Sequence, residues 1–264
     1  MCKSVARAVL CVALCRAWPA MGWGREGHHL VARIAEAELT PAARSRVAEI
    51  LGPGQSLVSV SGWADEVRRT RPETVPWHYI DIPIDRPRLD LERDCPHRDC
   101  VVAKIEDFQR VLGDLAATPE KRREALMFLS HFVEDLHQPL HGADNKDRGG
   151  NELRVQFGDR QTNLHTLWDG LLLSRMGTEE QLLPALLRES AHHAGKWSKG
   201  TVEEWAEQSH KAAQKVVYGK LPHAPPTASP VIDSQYEQAA DGVIREQIER
   251  AGARLARLLN ETLR

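Results

Sequence analysis

Two His-x-x-x-Asp pairs, His131/Asp135 and His165/Asp169, are set in apolar sequence. Phe128-Leu129 and Phe132-Val133 surround the first; Leu164, Leu167 and Trp168 surround the second. Residues i and i+4 share one helical face about one turn apart, so each pair aims an imidazole and a carboxylate at a single point. An ionised carboxylate among apolar neighbours needs a partner cation or a metal. One such pair is commonly a hydrogen-bonded surface pair. Two of them, with His141 lying between in sequence, ask for helices whose polar faces converge in the interior.

The remainder of the chain suits a helical solution. Ala and Leu dominate its 264 residues, against four Phe and three Tyr, which favours helix over strand. Periodicity predicts helices over 25–39, 41–51, 63–69 (with Ser61 as N-cap), 102–115, 119–137, 163–176, 179–188, 202–217 and 234–263. Residues 75–84 hold two prolines and read as extended. Residues 85–100 read as a charged loop, and 152–157 as a short strand. No linker long enough to separate two domains occurs. The expected fold class is all-α, a single compact multi-helix domain over 23–264 with at most a short hairpin.

Residues 1–22 differ from the rest. Lys3 and Arg7 precede an apolar run from Ala8 to Leu14, and Ala20-Met21-Gly22 resembles a small-x-small cleavage site. This is the layout of a secretory signal peptide, with Trp23 as the first mature residue and a secreted or periplasmic destination. A lipoprotein anchored at Cys15 is disfavoured by Leu14. Cleavage removes Cys2, Cys11 and Cys15 and leaves Cys95 and Cys100, a pair that reads as one short-loop disulfide in an exported protein. It also removes Lys3, Arg7 and Arg16, so the formal charge falls from −2 to −5. No other stretch has the roughly 18 apolar residues of a membrane helix, and no stable membrane association is expected.

Three further segments carry chemistry. Trp63-Ala64-Asp65-Glu66-Val67-Arg68 sets an acid and an arginine one helical turn apart. Trp77-His78-Tyr79-Ile80-Asp81 places a histidine in an aromatic-apolar run. Trp23-Gly24-x-x-Gly27-His28 begins at the expected mature terminus, where a free amine with its own carbonyl oxygen can chelate a metal.

In this order and spacing, WGREGH, WADEVR, WHYID, HFVEDLHQPLH, GGN and NLHTLWD closely resemble the secreted type I single-strand nucleases of fungi, plants and bacteria, which share a fold with the zinc phospholipases C. The resemblance runs from Trp23 to about Asp169; beyond that it extends only to helical character. It implies a cluster of three Zn²⁺ ions. Asp65, His78, His131 and Asp135 would hold the first, and His141, His165 and Asp169 the second. Trp23 and His28 would hold the third, with Asp135 bridging. It further implies a monomeric endonuclease and 3′-nucleotidase acting on single-stranded DNA, RNA and nucleotides. A zinc-activated water, oriented by Asp65, would attack phosphorus, leaving 5′-phosphates. Arg68 would bind the non-bridging oxygens. A nucleic-acid enzyme is usually basic; here the metal ions would supply the charge that attracts phosphate.

Tyr79 is a candidate stacking platform or a core aromatic, and Asn151 either contacts a base or caps a turn. The family's base pocket involves the loop near the disulfide, here 89–100, which makes Asp94 and Asp99 candidates. His137 is read as structural or as supporting the ligands. His97, His192, His193, His210 and His223 are read as solvated. Two other functions compete. A zinc phospholipase C would want an exposed apolar docking surface, and none is evident. A zinc-stabilised extracellular binding protein would want closed four-ligand sites without a phosphate-binding arginine.

Overall fold

Side-chain caps start several of the helices. The computed structural model describes residues 23–264, so the expected leader lies outside the described residues. After α1 (Arg25–Glu38), Thr40 accepts from the Ala43 amide and Pro41 opens α2 (Pro41–Leu51). Short helices α3 (Leu57–Val60) and α4 (Trp63–Val67) follow, then a 3₁₀ turn over Pro72–His78. The disulfide-tied loop contains α5 (Leu91–Asp94), and Cys95 and Cys100 are bonded. Next come α6 (Val101–Gly113) and α7 (Pro119–Leu136), the latter capped by Thr118. A 3₁₀ turn (Pro139–Gly142) and a polar loop lead to an antiparallel hairpin, β1 (Arg154–Phe157) with β2 (Arg160–Asn163).

Asn163 caps α8 (Leu164–Thr166), which continues through a π turn (Leu167–Leu171) into α9 (Leu172–Met176). The chain finishes with α10 (Glu179–Trp197), α11 (Val202–Ala212) and α12 (Ser234–Thr262), α11 running on through a second π turn over Ala213–Tyr218.

The architecture is all-α with one two-stranded hairpin among the described residues. Every residue of α7 from Ala125 to Leu136 is buried, which makes its second half a central rod rather than an amphipathic cover. α6 lies along it, and α12 packs on α1 and α10. One apolar cluster gathers on α6 and α7 around Phe128 and Phe132; the other gathers on α12 around Trp23, Trp168 and Tyr236.

Three expectations are corrected. Residues 75–78 of the expected extended stretch belong instead to a 3₁₀ helix over Pro72–His78, because Pro72 and Pro76 both fit its φ; extended backbone begins at Tyr79. Ser61 does not cap α4: Gly62 holds the cap position and the Ser61 hydroxyl donates to Val58 O (3.0 Å). His210 is buried rather than solvated, its Nε2 2.9 Å from Arg86 O. In addition, α10 runs nine residues past the expected Arg188, with Pro184 accommodated inside it.

Gly252 is where α12 meets α1. A Cβ there would stand 2.4 Å from Ile34 Cγ2 and 2.6 Å from Ile34 Cβ. Gly252→Ala gains helix propensity, about 1 kcal/mol, but collides with a β-branched side chain that has little rotamer freedom. Collision should win. The expected net loss is roughly 1–2 kcal/mol, a Tm lower by several degrees; an unchanged Tm would show that the helices separate freely.

Glu249 on α12 is 5 % exposed. Burial first, then Glu189 and Glu246, raise its pKa to about 7 against the opposing pull of Arg245. A carboxyl raised in the folded state favours folding while protonated and loses that contribution as pH climbs from about 4.5 through 7. Glu249→Gln should therefore match the parent near pH 4.5 and exceed it at pH 8 by about 1–2 kcal/mol, after allowing for partial solvent screening. Thermal melts at the two pH values check this, and equal differences at both would refute it.

Candidate metal centre

The candidate ligands come from widely separated elements and meet beside α7. His131 and Asp135 project from α7, His28 from α1, and Asp65 with Arg68 from α4 and its end. The two 3₁₀ turns bring His78 and His141, and α8 with its π turn brings His165 and Asp169. All are buried.

Hydrogen bonds fix which nitrogen of each ring is protonated. Nδ1 of His131 donates to Ser61 O (2.6 Å), Nδ1 of His141 to His78 O (2.8 Å), and Nδ1 of His165 to Gly149 O (2.6 Å). A carbonyl only accepts, so in the neutral ring Nε2 is left as a bare lone pair. His28 uses a carboxylate for the same purpose, its Nδ1 lying 2.6 Å from Glu134 Oε2. His78 is turned the other way, with Nδ1 2.8 Å from Asp135 Oδ2.

These lone pairs converge. Nε2 of His141 and Nε2 of His165 face each other at 3.3 Å. Burial holds His141 below the ordinary histidine range and, with His141 beside it, takes His165 down to about 3. Two imidazole nitrogens facing each other at this distance are an arrangement that a shared cation would satisfy. Asp169 Oδ1, 3.4 Å from His165 Nε2, completes the group.

Beside them, His28 Nε2, His131 Nε2 and Asp135 Oδ1 are buried without a hydrogen-bond partner, and Asp65 Oδ1 has only the Arg68 guanidinium next to it. They are nonetheless close: 3.6 Å from His28 Nε2 to Asp135 Oδ1, and 3.6 Å from His131 Nε2 to Asp65 Oδ1. Two ligand groups arise here, His28/Asp65/His131 and His78/His131/Asp135, alongside His141/His165/Asp169. Imidazole nitrogens and carboxylate oxygens in sets of three are a donor set suited to zinc, and the orphaned atoms are what such ions would satisfy. The residues present fit the metal.

Asp65 and Asp135 also act electrostatically on the ring between them. Burial opposes charge on His131, yet Asp135 and Asp65 outweigh it and raise the ring well above its ordinary pKa. Burial likewise opposes charge on Asp135, and His131 and His141 drive it well below the carboxylate range. Burial pushes Glu134 and Asp169 up. A guanidinium reaches the ligands from Arg68, whose Nη2 lies 2.9 Å from Asp65 Oδ1 and whose Nε is buried without a partner. A cleft of about 870 Å³ reaches His28, Asp65 and Arg68 and continues past Arg69 and Arg123.

The other expected site residues are placed as follows. Trp23 is buried, and the next amide, Gly24 N, donates to Asp169 O at 2.5 Å, tying the start of the described chain to a ligand. Asn151 donates to Arg148 O (2.8 Å), so it caps the turn. Tyr79 is half-buried. Asp94 is engaged within its own loop by Arg93 and the Asp90 amide, and Asp99 accepts from Trp77 Nε1 (2.6 Å).

Several contributors escaped the sequence reading. Gln138 Nε2 donates to Asp169 Oδ1 (2.6 Å). Gly149 needs its positive φ of 60°, and a Cβ there would meet Leu140 O at 2.9 Å, which explains the first glycine of the GGN motif. Tyr218 donates to Asp147 (2.9 Å), whose carboxylate accepts from Gly150 N, steadying the loop that presents Gly149 O to His165. Glu134 had one visible signal: a second acid beside Asp135 in an apolar helix.

Fold and site together define an all-helical protein built around a metal-binding centre. Residues 23–264 match the S1/P1 nuclease family, and the chain belongs to it. Nuclease P1 of Penicillium citrinum is 31 % identical over 267 residues, covering 90 % of this chain and 97 % of that protein. Endonuclease 2 of Arabidopsis thaliana is 30 % identical over 266 residues, covering 90 % of each. Nuclease S1 of Aspergillus oryzae is 29 % identical over 266 residues, covering 90 % of this chain and 91 % of that protein.

Glu134 should tune metal retention through His28. Glu134→Ala is expected to weaken metal binding by about 10–100-fold in chelator competition read by elemental analysis, with Glu134→Gln, which still offers an oxygen to Nδ1, in between. Equal retention in all three proteins would remove Glu134 from that role.

Proposed function

We propose that this chain is an extracytoplasmic, zinc-dependent endonuclease and 3′-nucleotidase that hydrolyses single-stranded DNA and RNA to products bearing 5′-phosphates. The observation that carries this reading is the set of buried, unpartnered imidazole and carboxylate atoms lying beside an arginine with a free donor in an open cleft. Asp65, His78, His131 and Asp135 would hold one ion and His141, His165 and Asp169 a second. His28, Asp135 and the amine and carbonyl of Trp23 would hold a third. Zinc in these positions supplies Lewis acidity and lowers the pKa of bound water towards neutrality.

The chain's own residues do the rest. Arg68 receives a non-bridging phosphate oxygen, since it lines the cleft and its Nε has no partner, and it offsets the charge that grows at phosphorus. Asp65, 2.9 Å from that guanidinium, is itself oriented by it and accepts a hydrogen bond from the attacking water. The water oxygen bonds to phosphorus as the bond to the 3′ oxygen breaks. Arg69 and Arg123, set among Glu66, Glu120 and Glu124 in the same cleft, are the further cations offered to flanking phosphates. Export belongs to the same proposal: Trp23 offers a free amine only when the chain is cut after Gly22.

The test uses purified protein beginning at Trp23, offered single-stranded DNA, RNA and phosphatidylcholine, with and without a chelator. Both nucleic acids should be cut to 5′-phosphorylated products, and activity should vanish with chelator and return with Zn²⁺. Hydrolysis of lipid alone would make the chain a phospholipase C, and no turnover with metal bound would make it a binding protein. Arg68→Ala should lower kcat by about 10²–10³-fold with metal content unchanged.

A further inference from the structure

A second cavity, about 370 Å³, opens where the end of α10 meets α11 and α12. Five cations line it: Lys196, Lys199, Lys211, Arg250 and Arg254. Arg254 is 2 % exposed, and its hydrogen-bond acceptors are all neutral. Nε donates to Trp197 O (3.0 Å), Nη1 to His137 Nε2 (2.7 Å) and Nη2 to Gln208 Oε1 (2.5 Å). His137 cannot offset the charge, because its Nδ1 donates to Val133 O (2.7 Å) and the ring accepts through Nε2 as a neutral base. The face of Trp205 lies 5.0 Å from the Arg254 guanidinium, and Arg257 crowds the same ring at 5.1 Å. Burial, then Arg250 and Arg257, pull the Arg254 pKa down to about 9 against the weaker pull of Glu246 and Glu204, neither of which hydrogen-bonds it. A buried guanidinium without a counter-anion is an expensive arrangement.

The surroundings increase the imbalance. Arg250 is paired with Glu246 one turn back, but it also donates to the same Gln208 oxygen (2.6 Å), and its Nε is buried without a partner. Among the described residues, Lys104 is the one lysine within 4.0 Å of a carboxylate, so the three cavity lysines are unpaired. Of the two acids in the wall, Glu204 is committed to the start of α11, accepting from Thr201 N (3.0 Å). Glu207 remains. This excess of positive charge sits in a chain of formal charge −2.

We propose that this cavity is an anion site for a phosphate group, separate from the metal-centred cleft. Lys196, Lys199 and Lys211 supply the charge at its mouth, Arg250 Nε an inward donor, and Arg254 the positive floor. The choice of phosphate over other anions rests on the nuclease reading, because both substrate and product carry it. The phosphate group has two sources, a free phosphate or 5′-nucleotide, and a linkage within a strand.

The test compares the metal-loaded protein with its K196Q/K199Q/K211Q variant; all three lysines are exposed, so folding should be unaffected. Calorimetric titration at low salt uses inorganic phosphate, then AMP, then a single-stranded oligothymidylate with cleavage-resistant phosphorothioate linkages. The parent should take two phosphates per chain and the variant one, the lost class being weakened about tenfold or more. Cleavage of single-stranded DNA without added phosphate should be unchanged. Weakening of phosphate and AMP identifies the small anion as the ligand; weakening of the oligonucleotide alone identifies the strand. Identical stoichiometry and affinity for every probe in parent and variant would overturn the site. Failure of the nuclease reading shows separately, as absence of cleavage by the parent.

Discussion

Asp135 sits at full burial on a helix whose neighbouring turns are apolar, with His28, His78, His131 and His141 within 4 Å of its two oxygens. A charge in that position is tolerable only if the rest of the molecule converges on it. That requirement explains why α1, α4, two 3₁₀ turns and the end of α7 are gathered there, though they are far apart in the chain. It also explains the carbonyls of Ser61, His78 and Gly149. Each takes the proton of one imidazole and so turns a lone pair towards the centre. The centre is thus specified twice, by the ligands and by the backbone that fixes their tautomers.

Much of this was legible in the sequence, and the reason is periodicity. His131/Asp135 and His165/Asp169 declare themselves because helical spacing and apolar surroundings are local properties. The structure brings both pairs to buried positions, even though Asp169 stands in a π turn rather than in regular α-helix. Trp63 to Arg68 was equally readable as an acid and an arginine one turn apart. What escaped was non-local. Glu134 acquires meaning only when α1 lays His28 against it, 106 residues away in sequence. Tyr218 reaches Asp147 across 71 residues, and Arg254 reaches His137 across 117. His210 looked solvated because nothing nearby in sequence hints that Arg86 O approaches it. The 3₁₀ turn at 72–78 was misread because prolines suit both an extended chain and the first turn of a helix.

The charge distribution joins the two cavities. The chain is mildly acidic overall, yet both cavities gather cations. Arg68, Arg69 and Arg123 line the large cleft, and five cations line the smaller one. α7 stands between these regions. Asp135 faces the metal ligands while His137, two residues on, is held by Arg254 behind them.

The bond from Gly24 N to Asp169 O has a consequence for the order in which the molecule can be made. Ribosomal synthesis delivers Trp23 and Gly24 early and Asp169 much later. That bond must wait until more than half of the polypeptide has emerged. His28 is complete in covalent terms from the outset, but its setting is closed by α7 and the turn after α8. The centre is therefore finished by a late, long-range closure, and metal met before that closure finds scattered ligands rather than a site.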